Sequence, residues 1–290
     1  MRGATSAPSA RVLEVVELLV RASDTRLRFV DVSRELGINQ ATAHSILKTL
    51  CDKGWATRDP VDKSFSPGPA LAAIAARADL KRPLGHAART AAAELCRETG
   101  YPASVIERMG DSLVITAFER GDIPHPAGIT GDRIPFVPPF GVAFAAWDTI
   151  EQQHAWVQRA PAADARVMKR LHHVLVQTRE RGYDVDWMTP ALAQATQMIE
   201  TLSSADIPQH VRNTLEQLRC EFATIGFHAD SSPEKHTQPI ATISAPVMDQ
   251  HGRPALMVGV HPLRALSPRQ MTSLGRRLTK LTAALSRNTD

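Results

Sequence analysis

The residues best suited to chemistry stand in one short stretch, Gln40-Ala41-Thr42-Ala43-His44-Ser45-Ile46-Leu47-Lys48. Ala43, Ile46, Leu47 and Leu50 recur at i, i+3, i+4 and i+7 and so define the buried side of a helix. At about 100° per residue, Ala41, Ser45 and Lys48 point the other way, with His44 and Thr49 beside them and Gln40 and Thr42 in the first turn. This outward face is small and hydrogen-bonding, and its one carboxyl, Asp52, stands at the far end. A helix entering the major groove needs such a face. Gln40 suits adenine, Lys48 a phosphate or a guanine edge, and Ala41 a thymine methyl. The same pattern also describes a three-helix cap used only for dimerisation, and periodicity leaves both readings open.

Other reactive types are arranged less purposefully. Arg58 and Lys63 border a turn and could meet flanking phosphates, or could be solvated charges. His172 and His173 are adjacent, so on a helix they diverge. His125, His154, His210, His228, His236 and His251 show no HxxxH or HxH spacing with Cys or Glu, so no metal is expected. Cys51, Cys96 and Cys220 form an odd set without CxxC, which favours neither a disulfide framework nor a zinc knuckle. With no GxSxG elbow, P-loop or GxGxxG after a strand, neither a cofactor nor enzymatic activity is expected.

The elements that must position these groups are readable from punctuation and period. Residues 10–20 and 29–36 form two helices, Gly37 ends the second, and Asn39 can cap the third. Gly54 stops that helix, and residues 55–58 and 64–66 form a hairpin around Asp59-Pro60. Three helices and a hairpin make an α/α winged helix-turn-helix over residues 1–68. An Ala-rich helical linker follows over 69–83. From residue 84 helices mix with strands at 103–108, 113–118, 240–248 and 254–260, with 236–238 as loop and a final helix over 267–286. That mixture predicts an α+β domain over 84–290.

The chain has 290 residues, 43% apolar and 22% charged, which suits two globular domains. No apolar run approaches the ~18–20 residues of a membrane helix, and the first eight residues do not form a secretory signal, so a cytoplasmic protein is expected. The net charge of +4 is unevenly placed. Residues 1–82 hold 13 Arg or Lys against nine Asp or Glu, and the remainder balances. The basic excess therefore coincides with the helix-turn-helix.

Ala10-Arg11-Val12-Leu13-Glu14-Val15-Val16, Leu36-Gly37-Ile38-Asn39-Gln40-Ala41-Thr42, Leu47-Lys48-Thr49-Leu50, Gly54-Trp55 and Pro69-Ala70-Leu71 together resemble the N-terminal domain of the IclR-type bacterial transcription regulators. Gly131-Asp132-Arg133-Ile134-Pro135-Phe136, Arg181-Gly182-Tyr183, and Ala245-Pro246-Val247-Met248-Asp249 with Gly252 are similar to that family's effector-domain signatures, in the same order. The resemblance implies double-stranded operator DNA as partner, a GAF-like C-terminal domain with a cup for a small organic effector, and a homodimer or dimer of dimers. It assigns a lining role to Ile134, Phe136, Pro139, Phe140 and Gly141 on one wall and to Thr242, Gly259 and His261 on the other, with Asp186 at a polar end. Phe136, Phe140 and Phe144 read equally well as core.

Three departures stand out. Ser45 replaces an arginine usual in the family's recognition helix, so operator preference does not carry over. Val137-Pro138-Pro139-Phe140 replaces a more polar run, which favours a bulky or apolar acid as effector. Residues 189–237 interrupt a normally short connection with two expected helices, over 189–201 and 208–223. A rival reading is a small-molecule-binding protein or enzyme whose N-terminal bundle only oligomerises it.

Overall fold

The computed structural model describes residues 6–22, 26–121, 130–160, 165–187 and 237–287. The chain divides into two units, residues 1–83 and 84–290.

In the first unit, α1 (Ala7–Arg21) starts with a proline in its first turn, where a missing N–H interrupts no helical bond. α2 (Phe29–Leu36) ends at Gly37, whose φ of 61° is the left-handed conformation that a side chain resists. α3 (Gln40–Asp52) follows at once, its first turn closed by the Asn39 side chain accepting the Thr42 N–H at 2.7 Å. The three helices meet on Val15, Leu19, Val32, Ala43, Leu47 and Leu50, all buried. Strands β1 (Ala56–Arg58) and β2 (Phe65–Pro67) pair antiparallel, and Leu27 bridges to Phe65 as a third contributor. α4 (Pro69–Leu80) buries none of its residues.

The second unit opens with α5 (Pro83–Thr99). Its sheet comprises β3 (Ala103–Met109), β4 (Ser112–Glu119), β5 (Arg133–Pro135), β6 (Asp184–Trp187), β7 (Gln238–Met248), β8 (Pro254–Val260) and β9 (Arg264–Leu266). The order is β5-β4-β3-β8-β7-β6, with β9 also on β7, and every pair is antiparallel. Side chains alternate between faces. Val105, Ala117, Val185, Ile243, Ala245, Val258 and Val260 face α5 and the final helix α9 (Pro268–Arg287). α9 packs closely on Tyr183, the residue before β6, through Gly275, where an added Cβ would fall 2.3 Å from the Tyr183 ring. Met257 and Ile106 face a second core built by α6 (Val142–Ala145), α7 (Ile150–Val157) and α8 (Ala165–Arg181).

Several expectations shift. β1 starts one residue later than predicted, because Trp55 turns the chain out of α3, its N–H bonding the Leu50 carbonyl, and β2 is shifted by one residue to 65–67. Gln238 belongs to β7 and pairs with Leu266 rather than lying in a loop. The helices expected over 189–201 and 208–223 fall outside the described residues.

Candidate functional site

α3 divides cleanly between its two sides. Ala43, Leu47 and Leu50 are buried, while Gln40, Ala41, His44, Ser45 and Lys48 are exposed and Thr42 is half-buried. Ile46 is only half-buried, because it borders a groove of about 340 Å³ between α1 and α3. Arg11 lines that groove together with Thr42, Ser45 and Thr49. Sequence reasoning missed Arg11, since α1 carried only an apolar signal. Thr49 is exposed too, and its hydroxyl bonds back along the helix, donating to the Ser45 carbonyl at 2.9 Å. Cys51 is half-buried against the core, and burial pushes its thiol pKa up, which suits packing rather than nucleophilic attack.

The tip of the wing is held by its own side chains and by Arg26. Asp59 accepts the Val61 and Asp62 N–H groups at 2.7 and 3.1 Å. The Ser64 hydroxyl and N–H, with the Arg26 guanidinium, hold the Asp62 carboxyl well below the usual carboxylate range. Lys63, at φ 62°, donates its ammonium to the Pro60 carbonyl within the same turn. Two fixed carboxylates and a folded-back lysine make a poor phosphate contact. Arg58 lies on β1, exposed, with its guanidinium 5.6 Å from the Phe65 ring centroid. It is the better placed of the wing's two expected cations.

In the second unit the polar groups gather on the sheet face opposite α5 and α9. Register sets Ser104 beside Gly259, Gly259 beside Ser244, Ser244 beside Asp184, and Thr242 beside Asp186. His261, just past β8, is anchored by its N–H to the Pro102 carbonyl at 2.9 Å. Its Nε2 lies 2.9 Å from Ser104 Oγ and its Nδ1 3.1 Å from Thr242 Oγ1. The Phe118 ring stands beside it at 5.6 Å between centroids. Gly259 leaves room between the two hydroxyls: a Cβ there would sit 3.4 Å from Ser104 Oγ and 3.5 Å from Thr242 Cγ2. Asp184 accepts the Thr178 hydroxyl at 3.2 Å and lies 3.5 Å from Arg181. Burial raises its pKa, against the pull of Arg181. Burial raises Asp186 further, and the neighbouring Asp184 adds to the effect.

Thr242, Gly259, His261 and Asp186 thus form one surface. Ser104, Phe118, Ser244 and Asp184 belong to it and were not foreseen, although period-two alternation along each strand would have placed them on its side. The loop residues do not join them. Phe136 is fully buried, capped by the Arg108 guanidinium 3.9 Å from its ring centre and packed against Trp156 and Phe144, so it is core. Gly141 is required beside it, since a Cβ would come within 2.6 Å of that ring and 3.2 Å of Leu113. Ile134 pairs with Leu113, and Pro139 and Phe140 are half-buried, with the Phe140 carbonyl accepting from the Trp156 indole. This cluster therefore sits at the Leu113 end of β4. Phe118 is five residues along the same strand, about 17 Å away at the usual rise.

Among the described residues no group of three or more His, Cys, Asp or Glu is placed to hold a metal, and no helix is long and apolar enough to cross a membrane.

Residues 10–60 match the model of the IclR helix-turn-helix domain. A curated relative, the HTH-type transcriptional regulator XynR of Escherichia coli, is 25% identical over 197 residues, covering 61% of this chain and 72% of its own. The first unit carries an IclR-type helix-turn-helix. Solved structures carry the likeness of fold across the whole chain. An IclR regulator from Alicyclobacillus acidocaldarius superposes with a TM-score of 0.69 at 18% identity, covering 99% of this chain and all of that one. An IclR homologue from Microbacterium hydrocarbonoxydans, solved with 4-hydroxybenzoate, gives 0.65 at 14% identity over 97% and 100%. The chain therefore combines an IclR-type helix-turn-helix with an α+β second unit whose fold is that of these solved structures.

Proposed function

We propose that this regulator binds operator DNA through the outward face of α3 and answers to a small organic molecule held on the polar face of its second unit, controlling a catabolic operon. The observation that carries the DNA reading is the split of α3. Its apolar stripe is buried, while Gln40, Ala41, His44, Ser45 and Lys48 stay exposed on a helix whose first turn is capped. Exposed donors and acceptors on a rigid helix are what base edges require. Thr42, half-buried, and Arg58 on the wing complete the contact surface. The ligand reading is supported by the Ser104–His261–Thr242 network with Asp186 beside it, and by the bound 4-hydroxybenzoate of the Microbacterium homologue. Half-sites on DNA lie about 34–36 Å apart, so two heads act together in a homodimer or dimer of dimers. The ligand acts by binding two arrangements of the oligomer with different affinity.

A gel-shift series with DNA from upstream of the chain's own gene, at several salt concentrations, tests this. A sequence-selective band whose affinity falls as salt rises is expected. Absence of such a band would return the helical bundle to a purely oligomerising role.

A further inference from the structure

The groove between α1 and α3 lies where a duplex seated on α3 has to bring one of its backbones. A helix with its side chains is about 10–12 Å across and the major groove is about 12 Å wide, so each flank of an inserted helix faces a sugar–phosphate strand. At about 100° per residue, Thr42, Ser45 and Thr49 form a stripe along one flank of α3, and Ser45 belongs to the outward face as well. That flank is one wall of the groove of about 340 Å³, and Arg11 stands on the other. Arg11 comes one turn before the buried Val15 on the same side of α1. It therefore carries the core-facing stripe past the end of the core and over α3.

The lining suits an anion attached to a sugar. Arg11 supplies the only charge among the described residues of the groove, and no carboxyl lines it. Arg11 is exposed and joins no ion pair among the described residues. The hydroxyls of Thr42 and Ser45 make no hydrogen bond there either, whereas that of Thr49 is engaged by the Ser45 carbonyl. A guanidinium fork and two hydroxyl donors match the non-bridging oxygens of a phosphodiester. Beneath them Val12, Ile46 and Leu50 supply an apolar floor that fits deoxyribose. A protein partner would find more on the other side of α1, where the large exposed apolar side chains Leu13 and Val20 stand away from Arg11.

We propose that Arg11 holds one backbone phosphate of the operator in this groove, with Thr42 and Ser45 donating to the same phosphate and the apolar floor lying against its sugar. The inference rests on the operator-binding reading above. α1 is then a second DNA-contacting element, and it contributes affinity and register rather than base choice.

The test compares the full chain with Arg11→Gln and Arg11→Lys in salt-dependent gel shifts on operator and on unrelated DNA. Arg11→Gln should weaken both DNAs by about tenfold and reduce the salt slope by about 1, with the first unit's melting temperature unchanged. Arg11→Lys keeps the charge, so it should keep the slope while losing part of the affinity that the planar fork supplies. Methylphosphonates placed one at a time along the operator should reveal a position where neutralising the phosphate weakens the wild type and leaves Arg11→Gln indifferent. An unchanged slope in Arg11→Gln, a loss confined to one sequence, or the lack of such a position overturns the phosphate contact and leaves the operator reading standing. A smaller oligomer for Arg11→Gln in sedimentation would overturn it too, by giving the groove to a second copy. A wild-type chain with no sequence-selective, salt-sensitive band overturns both.

Discussion

Replacing Gly275 with alanine puts a methyl group where the Tyr183 ring already lies. The new Cβ would stand 2.3 Å from Cζ and 2.5 Å from both Cε atoms, against an ordinary carbon separation of about 3.5–4.0 Å. Neither partner moves freely. Tyr183 is 6% exposed, and α9 is fixed on the sheet by the buried Leu278, Thr282 and Leu285. Overpacking of this kind costs about 1–3 kcal/mol, while alanine in a helix interior returns up to ~1 kcal/mol over glycine. An approach of 2.3 Å falls at the upper end of that cost, so the net loss is about 1–2 kcal/mol. For a unit of this size each kcal/mol moves the melting temperature by about 2–4 °C, so calorimetry of the full chain should show the second unit's transition lowered by roughly 2–8 °C. The first unit's transition should stay in place. Adding Tyr183→Leu should recover part of the loss, because the two substitutions share one contact. A single variant that melts at or above the wild-type temperature would refute the packing argument.

Asn39→Ala removes the 2.7 Å cap on α3 and should cost the first unit about 1 kcal/mol, read as an earlier thermal transition with weaker operator binding. Lys48→Ala should weaken binding on all sequences alike and reduce the salt slope by about 1, and an unchanged slope would remove Lys48 from the phosphates. Asp186→Asn should flatten the pH dependence of the second unit's stability. Burial raises the native pKa of this carboxyl, so the native state keeps a proton that the unfolded chain gives up near ~3.9. Stability is therefore lost as pH rises from that value through the native pKa, and the asparagine variant should be the more stable at pH 8. An identical pH profile in the two proteins would show that Asp186 titrates normally.

The recognition helix was legible because its information is local. Ala43, Leu47 and Leu50 follow the helical period, and Asn39 and Gly37 mark its start within three residues. Ile46 departs from that pattern through a tertiary cause, the groove it shares with α1. The sensor face was legible only in part. Thr242, Gly259 and His261 could be placed strand by strand, but Ser104 joins His261 across 157 residues, and only the pairing of β3 with β8 brings them together. The loop was ambiguous for the same reason. An aromatic residue after Ile134-Pro135 looks the same whether it lines a cup or fills a core. The deciding contacts, Arg108 over its ring and Trp156 at its side, come from distant elements.

The wing's anchorage has a consequence for discrimination. Leu27 pairs with Phe65 and Arg26 with Asp62, so the approach to α2 is stitched to the hairpin while α3 is fixed beneath both. Such a head reaches DNA with little of its own conformation left to settle, and association loses correspondingly little entropy in ordering it. The same anchorage restrains the wing from remoulding around a wrong base pair. Each mismatch, worth about 1–3 kcal/mol, is then felt nearly in full. A stiff mould of modest charge selects its site by what it refuses.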